Sequence, residues 1–106
     1  MNTLSEQEFR VKSDQALENA RQAMLPMADD NEFEVELQNG VLNPVFEEPR
    51  DAKFVVSPNA PVRQIWVSAM SRSYKLAWDS DRQVFALNGE PLTDLLTRLC
   101  DEFLAS

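Results

Sequence analysis

The chain of 106 residues has no histidine and a single cysteine, Cys100. Without imidazole there is no Ser–His–Asp or Cys–His couple, and no His-containing metal cage. One cysteine cannot close an internal disulfide. Cys100 lies among the apolar residues of a predicted helix and is read as buried packing rather than as a nucleophile. Only two glycines are present, Gly40 and Gly89, so no Gly-rich loop can cradle a phosphate. No apolar run reaches the length of a membrane span. Met1-Asn2-Thr3-Leu4-Ser5-Glu6 has neither the basic-then-apolar order of a signal peptide nor the Arg-rich character of a transit peptide. Hydrolase, nucleotide-binding and membrane functions therefore find no support, and a cytoplasmic protein is expected.

Basic residues are also scarce where acidic ones abound. Residues 1–48 hold 11 acids and 3 bases, whereas residues 49–106 hold 7 of each. The net charge of −8 thus belongs to the first half. A phosphate backbone would be repelled, so nucleic acid is not an expected partner. Cations or a basic protein surface fit better, although acidity can also serve solubility alone.

The remaining pattern is that of one globular domain, 1–106, with 43% hydrophobic and 26% charged residues. Residues 5 to about 25 form an amphipathic helix, with Phe9, Ala16, Leu17, Ala20, Met24 and Met27 at helical spacings and Ser5 and Glu8 as a capping box. Pro26 is expected to end it. Asp29-Asp30-Asn31-Glu32 then reads as a polar link. Phe33, Val35 and Leu37 alternate with Glu32, Glu34 and Glu36, which predicts a strand with one dry and one acidic face. Asn39-Gly40 supplies a hairpin turn, and Val41 to Glu47 returns, with Pro44 requiring an edge, a bulge or a broken pair. Lys53–Ser57, the stretch around Trp66, Tyr74–Trp78 and Gln83–Leu87 complete about six strands. Pro91 opens a second helix whose apolar face is Leu92, Leu95, Leu96, Leu99, Phe103 and Leu104. Short turns between successive strands imply antiparallel neighbours. The expected fold is therefore α+β: a two-layer α-β sandwich with the N- and C-terminal helices on one face of an antiparallel sheet.

In the Trp66 strand, Ile65, Val67 and Ala69 share one face and Gln64, Trp66 and Ser68 the other. If the aliphatic face is inward, Trp66 meets water on an open sheet as a candidate contact residue flanked by Gln64 and Ser68. The competing reading places it under a neighbouring side chain. Arg63 is expected to pair with a nearby acid. The acids form a second candidate site: Asp29, Asp30, Glu32 and Glu34 cluster in sequence, with Glu18 and Asp14 on the helix behind. Carboxylates are hard oxygen donors suited to iron and other divalent cations. Exposed carboxylates without histidine predict weak, exchangeable, salt-sensitive binding at overlapping sites. A solvated face without a ligand is the alternative.

Gly40-Val41-Leu42 with Phe46, Gln64-Ile65-Trp66, Tyr74, and Asn88-Gly89 followed by Leu92, Asp94, Leu95 and Leu96 resemble, in order and spacing, the motifs of the frataxin family, its bacterial CyaY-like branch in particular. The resemblance implies an α-β sandwich and a role in iron–sulfur cluster assembly without enzymatic activity. It implies weak iron binding by an acidic ridge, here Glu18, Asp29, Asp30, Glu32 and Glu34. It also implies docking on cysteine desulfurase and the iron–sulfur scaffold complex through that ridge, Glu36 and the sheet around Gln64, Trp66 and Ser68. The expected species is a monomer that iron can drive to oligomerise. The chain departs from the family pattern where acids late in the first helix are replaced by Arg21, Gln22, Leu25 and Pro26. Ser57-Pro58-Asn59 stands in place of an Asn-x-Gln run, and Gln83 in place of a second tryptophan, a role Trp78 does not inherit. Two other functions remain open: an iron-oxidising or iron-storage protein, and an acidic interaction domain that uses no metal.

Overall fold

The computed structural model describes residues 4–106. The chain runs α1 (Glu6–Asn31), β1 (Glu34–Gln38), β2 (Val41–Phe46), β3 (Ala52–Lys53), β4 (Val55–Asn59), a 3₁₀ turn (Ala60–Val62), β5 (Gln64–Ala69), β6 (Arg72–Asp79), β7 (Val84–Leu87), β8 (Glu90–Pro91) and α2 (Leu92–Leu104). All paired strands are antiparallel, in the order β1-β2-β4-β5-β6-β7-β8, with β3 beside β2. Six longer strands lie where six are expected, but the expected strand Lys53–Ser57 is broken at Phe54 into β3 and β4, and β8 adds two residues. Both helices cover one face of this sheet, giving the expected α-β sandwich.

The core lies between the layers. Phe46 is its aromatic centre, with ring centroids 4.5 Å from Phe33, 5.0 Å from Phe54 and 4.6 Å from Phe103. Ile65, Val67 and Ala69 of β5 and Leu76 of β6 are buried beneath the helices. Leu92, Leu95, Leu96, Leu99, Cys100 and Phe103 supply the buried face of α2, so Cys100 is packing, as expected. Burial is the main cause that pushes its thiol up to about 12.

Local chemistry explains the joints. Ser5 Oγ accepts from the Glu8 N–H at 3.1 Å, and the Ser5 N–H donates to Glu8 Oε1 at 3.0 Å, closing the capping box. Asn39 and Gly40 both have positive φ, as a tight hairpin between right-twisted strands requires. Met70 and Ser71 make the same kind of two-residue turn, so β6 begins at Arg72 rather than Tyr74. The carbonyl of Pro44 accepts from Phe54 N–H at 3.0 Å, and Phe54 is the single residue between β3 and β4. The proline nitrogen thus faces the break in the ladder.

The helix does not end at Pro26. It continues to Asn31, so Asp29 and Asp30 are helical and not part of a link. Two terms oppose each other here. Proline inside a helix costs about 3 kcal/mol relative to alanine. Its ring, however, is exposed, while Met24, Ala28 and Phe33 are buried around it. Carrying the helix on to Asn31 seats Ala28 and Phe33 in the core, and burying a side chain of the size of Phe33 contributes about 1.5–3 kcal/mol, which offsets the local penalty. Glu32 then caps the helix in the left-handed region (φ 56°), and Phe33 N–H also donates to the Ala28 carbonyl. Two further expectations need correction. Ser57–Asn59 belongs to β4 rather than to a connecting segment, and Gln83, with φ 59°, belongs to a turn.

Candidate functional site

Strand alternation divides the acids. Val35 and Leu37 of β1 face the helices, so Glu34 and Glu36 project from the open face of the sheet. Glu18, Asp29 and Asp30 lie on α1, in the helical layer. Glu32 sits at the corner between the two. The first strand, at the sheet edge, therefore separates two acidic groups that the sequence places side by side. Glu18 is also engaged: its carboxylate receives Arg21 at 2.6 Å and Gln22 at 3.1 Å. Those hydrogen bonds, Arg21 first, hold the Glu18 carboxyl below its ordinary 4.5. Exposed Leu25 and Pro26 lie beside Asp29 and Asp30 on a surface notch that also contains Arg21 and Gln22.

Among the described residues, no three acidic or cysteine side chains converge as a metal cage would require. Carboxylate oxygens remain chemically suited to iron, but each cation would keep most of its water and exchange readily.

On the open face, Trp66 is exposed between half-buried Gln64 and exposed Ser68, while Ile65 and Val67 lie buried beneath. This is the arrangement that the alternation predicts. The neighbours of Trp66 are small or polar: Ser57 on β4 and Lys75 on β6 are its direct cross-strand partners. Glu34 and Glu36 share this face three strands away, a sideways offset of roughly 14 Å at the ordinary strand spacing, and lie respectively four and two residues further along from the level of Trp66. Trp78 does not join it. That side chain lies on the helical side, its ring centroid 5.1 Å from Phe85 and the Lys12 ammonium 5.7 Å from its ring.

Arg63, expected to meet an acid, donates instead to the Leu4 and Ala60 carbonyls. Lys75 was not singled out from the sequence. A signal was available: a two-residue turn at Met70-Ser71 makes Ala69 face Arg72, and counting back along both strands places Lys75 opposite Trp66.

Comparison with known proteins agrees with this fold. A frataxin-like domain model matches residues 2–106. The iron–sulfur cluster assembly protein CyaY of Pseudomonas aeruginosa is 35% identical over 74 residues, which covers 66% of this chain and 67% of the relative. The corresponding CyaY of Cupriavidus taiwanensis is 27% identical over 104 residues, covering 96% and 92%. A solved frataxin from Psychromonas ingrahamii superimposes with a TM-score of 0.69 over 97% of this chain and 94% of its own. At 12% identity, that likeness speaks for the fold alone. The chain is a member of the frataxin family, in its bacterial, CyaY-like branch.

Proposed function

We propose that the protein is an iron-responsive adaptor that docks on cysteine desulfurase in the bacterial cytoplasm. Its general role is iron–sulfur cluster assembly, and like the rest of its family it is not an enzyme. The observation that carries the docking proposal is Trp66: a large aromatic exposed on an open sheet face, beside Gln64 and Ser68, with Glu34 and Glu36 on the same face. An ordinary interface of ~800 Å² per partner is wide enough to cover both groups. The aromatic ring supplies an anchor, and Glu34 and Glu36 attract a basic partner surface and orient it.

Iron enters as cargo or effector. Glu18, Asp29, Asp30, Glu32 and Glu34 would hold it weakly, with Glu18 weakened further by its pairing to Arg21. Bound cations would lower the negative charge of the ridge and so loosen or redirect the docking. The test is binding of cysteine desulfurase to the wild type, to Trp66→Ala and to Glu34→Gln/Glu36→Gln. The proposal expects loss in both variants with the fold intact; wild-type affinity in Trp66→Ala would sink it.

A second reading keeps the docking and omits the metal. It is favoured by the lack of three converging acids among the described residues. An NMR titration with Fe²⁺ separates the two. Paramagnetic broadening confined to residues 14–36 supports iron binding, whereas unchanged spectra at equimolar Fe²⁺ support an acidic interaction surface alone.

A further inference from the structure

A cleft of about 140 Å³ opens on the helical side of the sheet, between α1, β6, β7 and the start of α2. Helix and strand spacing build it. Lys12, Gln15, Ala16 and Asn19 recur at three and four residues and form one stripe of α1 along its rim. Trp78 of β6 and Phe85 of β7 are cross-strand partners, and their rings meet edge-on at 5.1 Å beneath that stripe. Leu92, the first residue of α2, closes the third side. The floor is thus apolar and aromatic. The rim carries two amides and the Lys12 ammonium, which sits 5.7 Å from the Trp78 ring centroid. Lys12 enters no ion pair among the described residues. Glu8, one turn before it, turns its carboxylate to the Ser5 N–H instead. Among the described residues no Asp or Glu lines the cleft, although the chain carries a net charge of −8.

We infer that this cleft binds a small aromatic carboxylate, with its ring against Trp78 and Phe85 and its carboxylate on the Lys12 ammonium. Size sets the first limit. Pockets for drug-sized ligands run to about 300–1,000 Å³, whereas an apolar cavity of about 150 Å³ accepts benzene. A single six-membered ring therefore fits, and a nucleotide does not. The floor sets the second limit. Two aromatic rings favour a flat aromatic body packed offset or edge-on against them. Charge sets the third. One ammonium is a point charge without the fork of an arginine, and it matches a singly charged carboxylate better than a doubly charged phosphate. In meeting the carboxylate, Lys12 exchanges a cation–π contact for a charge-assisted hydrogen bond, the stronger of the two. Gln15 and Asn19 supply amide donors at the same rim. The cleft lies across the sheet from Trp66, so a ligand there leaves the open face uncovered. It would tie α1 to α2 and the sheet, and so stabilise the folded chain.

The test titrates the full chain with benzoate, and with benzamide and acetate as probes that keep the ring or the charge alone, all at matched ionic strength. The readouts are ¹H–¹⁵N NMR shifts and the thermal midpoint. The two indole signals are assigned with Trp66→Phe. Benzoate is expected to shift the Trp78 indole and the amides of residues 12–19 and 84–93 saturably, to leave the Trp66 indole in place and to raise the midpoint. Benzamide and acetate should bind roughly 10-fold more weakly or worse, since each lacks one of the two contacts. Lys12→Met, a change at the rim that leaves the floor intact, should lower benzoate affinity roughly 3- to 10-fold. Ala16→Leu, which fills the cleft from the α1 side, should abolish the shifts. Absence of a saturable shift with benzoate in the wild type would overturn the site. Equal affinity for benzamide, or an undiminished affinity in Lys12→Met, would overturn the choice of an anion. Equal affinity for acetate would overturn the role of the aromatic floor. Wild-type binding by Ala16→Leu would place the ligand elsewhere and overturn the cleft as its site.

Discussion

Pro26→Ala should make the protein more stable. Pro26 sits inside α1, five residues before its last residue, Asn31. It removes the N–H that would reach the Gln22 carbonyl, and its ring crowds that carbonyl. Both Gln22 and Pro26 are exposed, so water compensates part of the loss and alanine sacrifices no buried contact. Helix propensity alone gives about 3 kcal/mol in favour of alanine. Proline also restricts the unfolded chain, an advantage of roughly 0.4–1 kcal/mol where its conformation fits. Allowing for hydration of the freed carbonyl, the net gain should be about 1–3 kcal/mol. For a chain of about this size each kcal/mol moves Tm by roughly 4–8 °C. Urea unfolding followed by circular dichroism gives the free energy directly, and amide exchange of residues 22–31 should slow in parallel. An unchanged or lowered midpoint would refute the reasoning. The local penalty of Pro26 in this helix would then be smaller than helix propensity gives.

Phe46→Ala should be severe, since Phe46 touches three other rings and is buried; a loss of about 3–5 kcal/mol is expected in the same urea assay. Hydrogen bonds from Arg98 hold the Glu90 carboxyl below its ordinary 4.5, so Glu90 binds a proton more weakly folded than unfolded. The stabilisation is therefore complete above pH 4.5 and is lost as pH falls through the lower folded value. Being a surface pair it is worth under about 1 kcal/mol, and the stability difference between wild type and Glu90→Gln should vanish on acidification rather than grow. Cys100, buried and with its thiol pushed up to about 12, should resist a disulfide reagent at pH 8 until denaturant opens the core. Rapid labelling of the native protein would contradict that packing.

What could be read from the residues and what could not divides along physical lines. The β5 faces were legible because alternation over Gln64–Ala69 depends only on the strand period. The hairpin at Asn39-Gly40 was legible because positive φ restricts the residue types a turn accepts. The course of α1 beyond Pro26 was not, because a local penalty was overridden by burial against distant residues. The same override places Asp29 and Asp30 in a helix rather than a link and so splits the acidic group into two layers. Pairing of Glu18 with Arg21 is within reach of the i, i+3 spacing, but the neighbouring acids give Glu18 a competing place in a ridge. The placing of Lys75 opposite Trp66 depends on the register between β5 and β6, which hydrophobic pattern alone leaves open and the two-residue turn at Met70-Ser71 sets.

The most direct test of the account is the affinity of cysteine desulfurase for the wild type, Trp66→Ala and Glu32→Ala/Glu34→Ala, measured side by side with thermal unfolding of each. The account predicts that both variants bind more weakly while unfolding as cooperatively as the wild type, with the tryptophan variant weakened by about 2 kcal/mol or more, as a central aromatic anchor would be. Wild-type binding by Trp66→Ala, or no binding by the wild type itself, would contradict it.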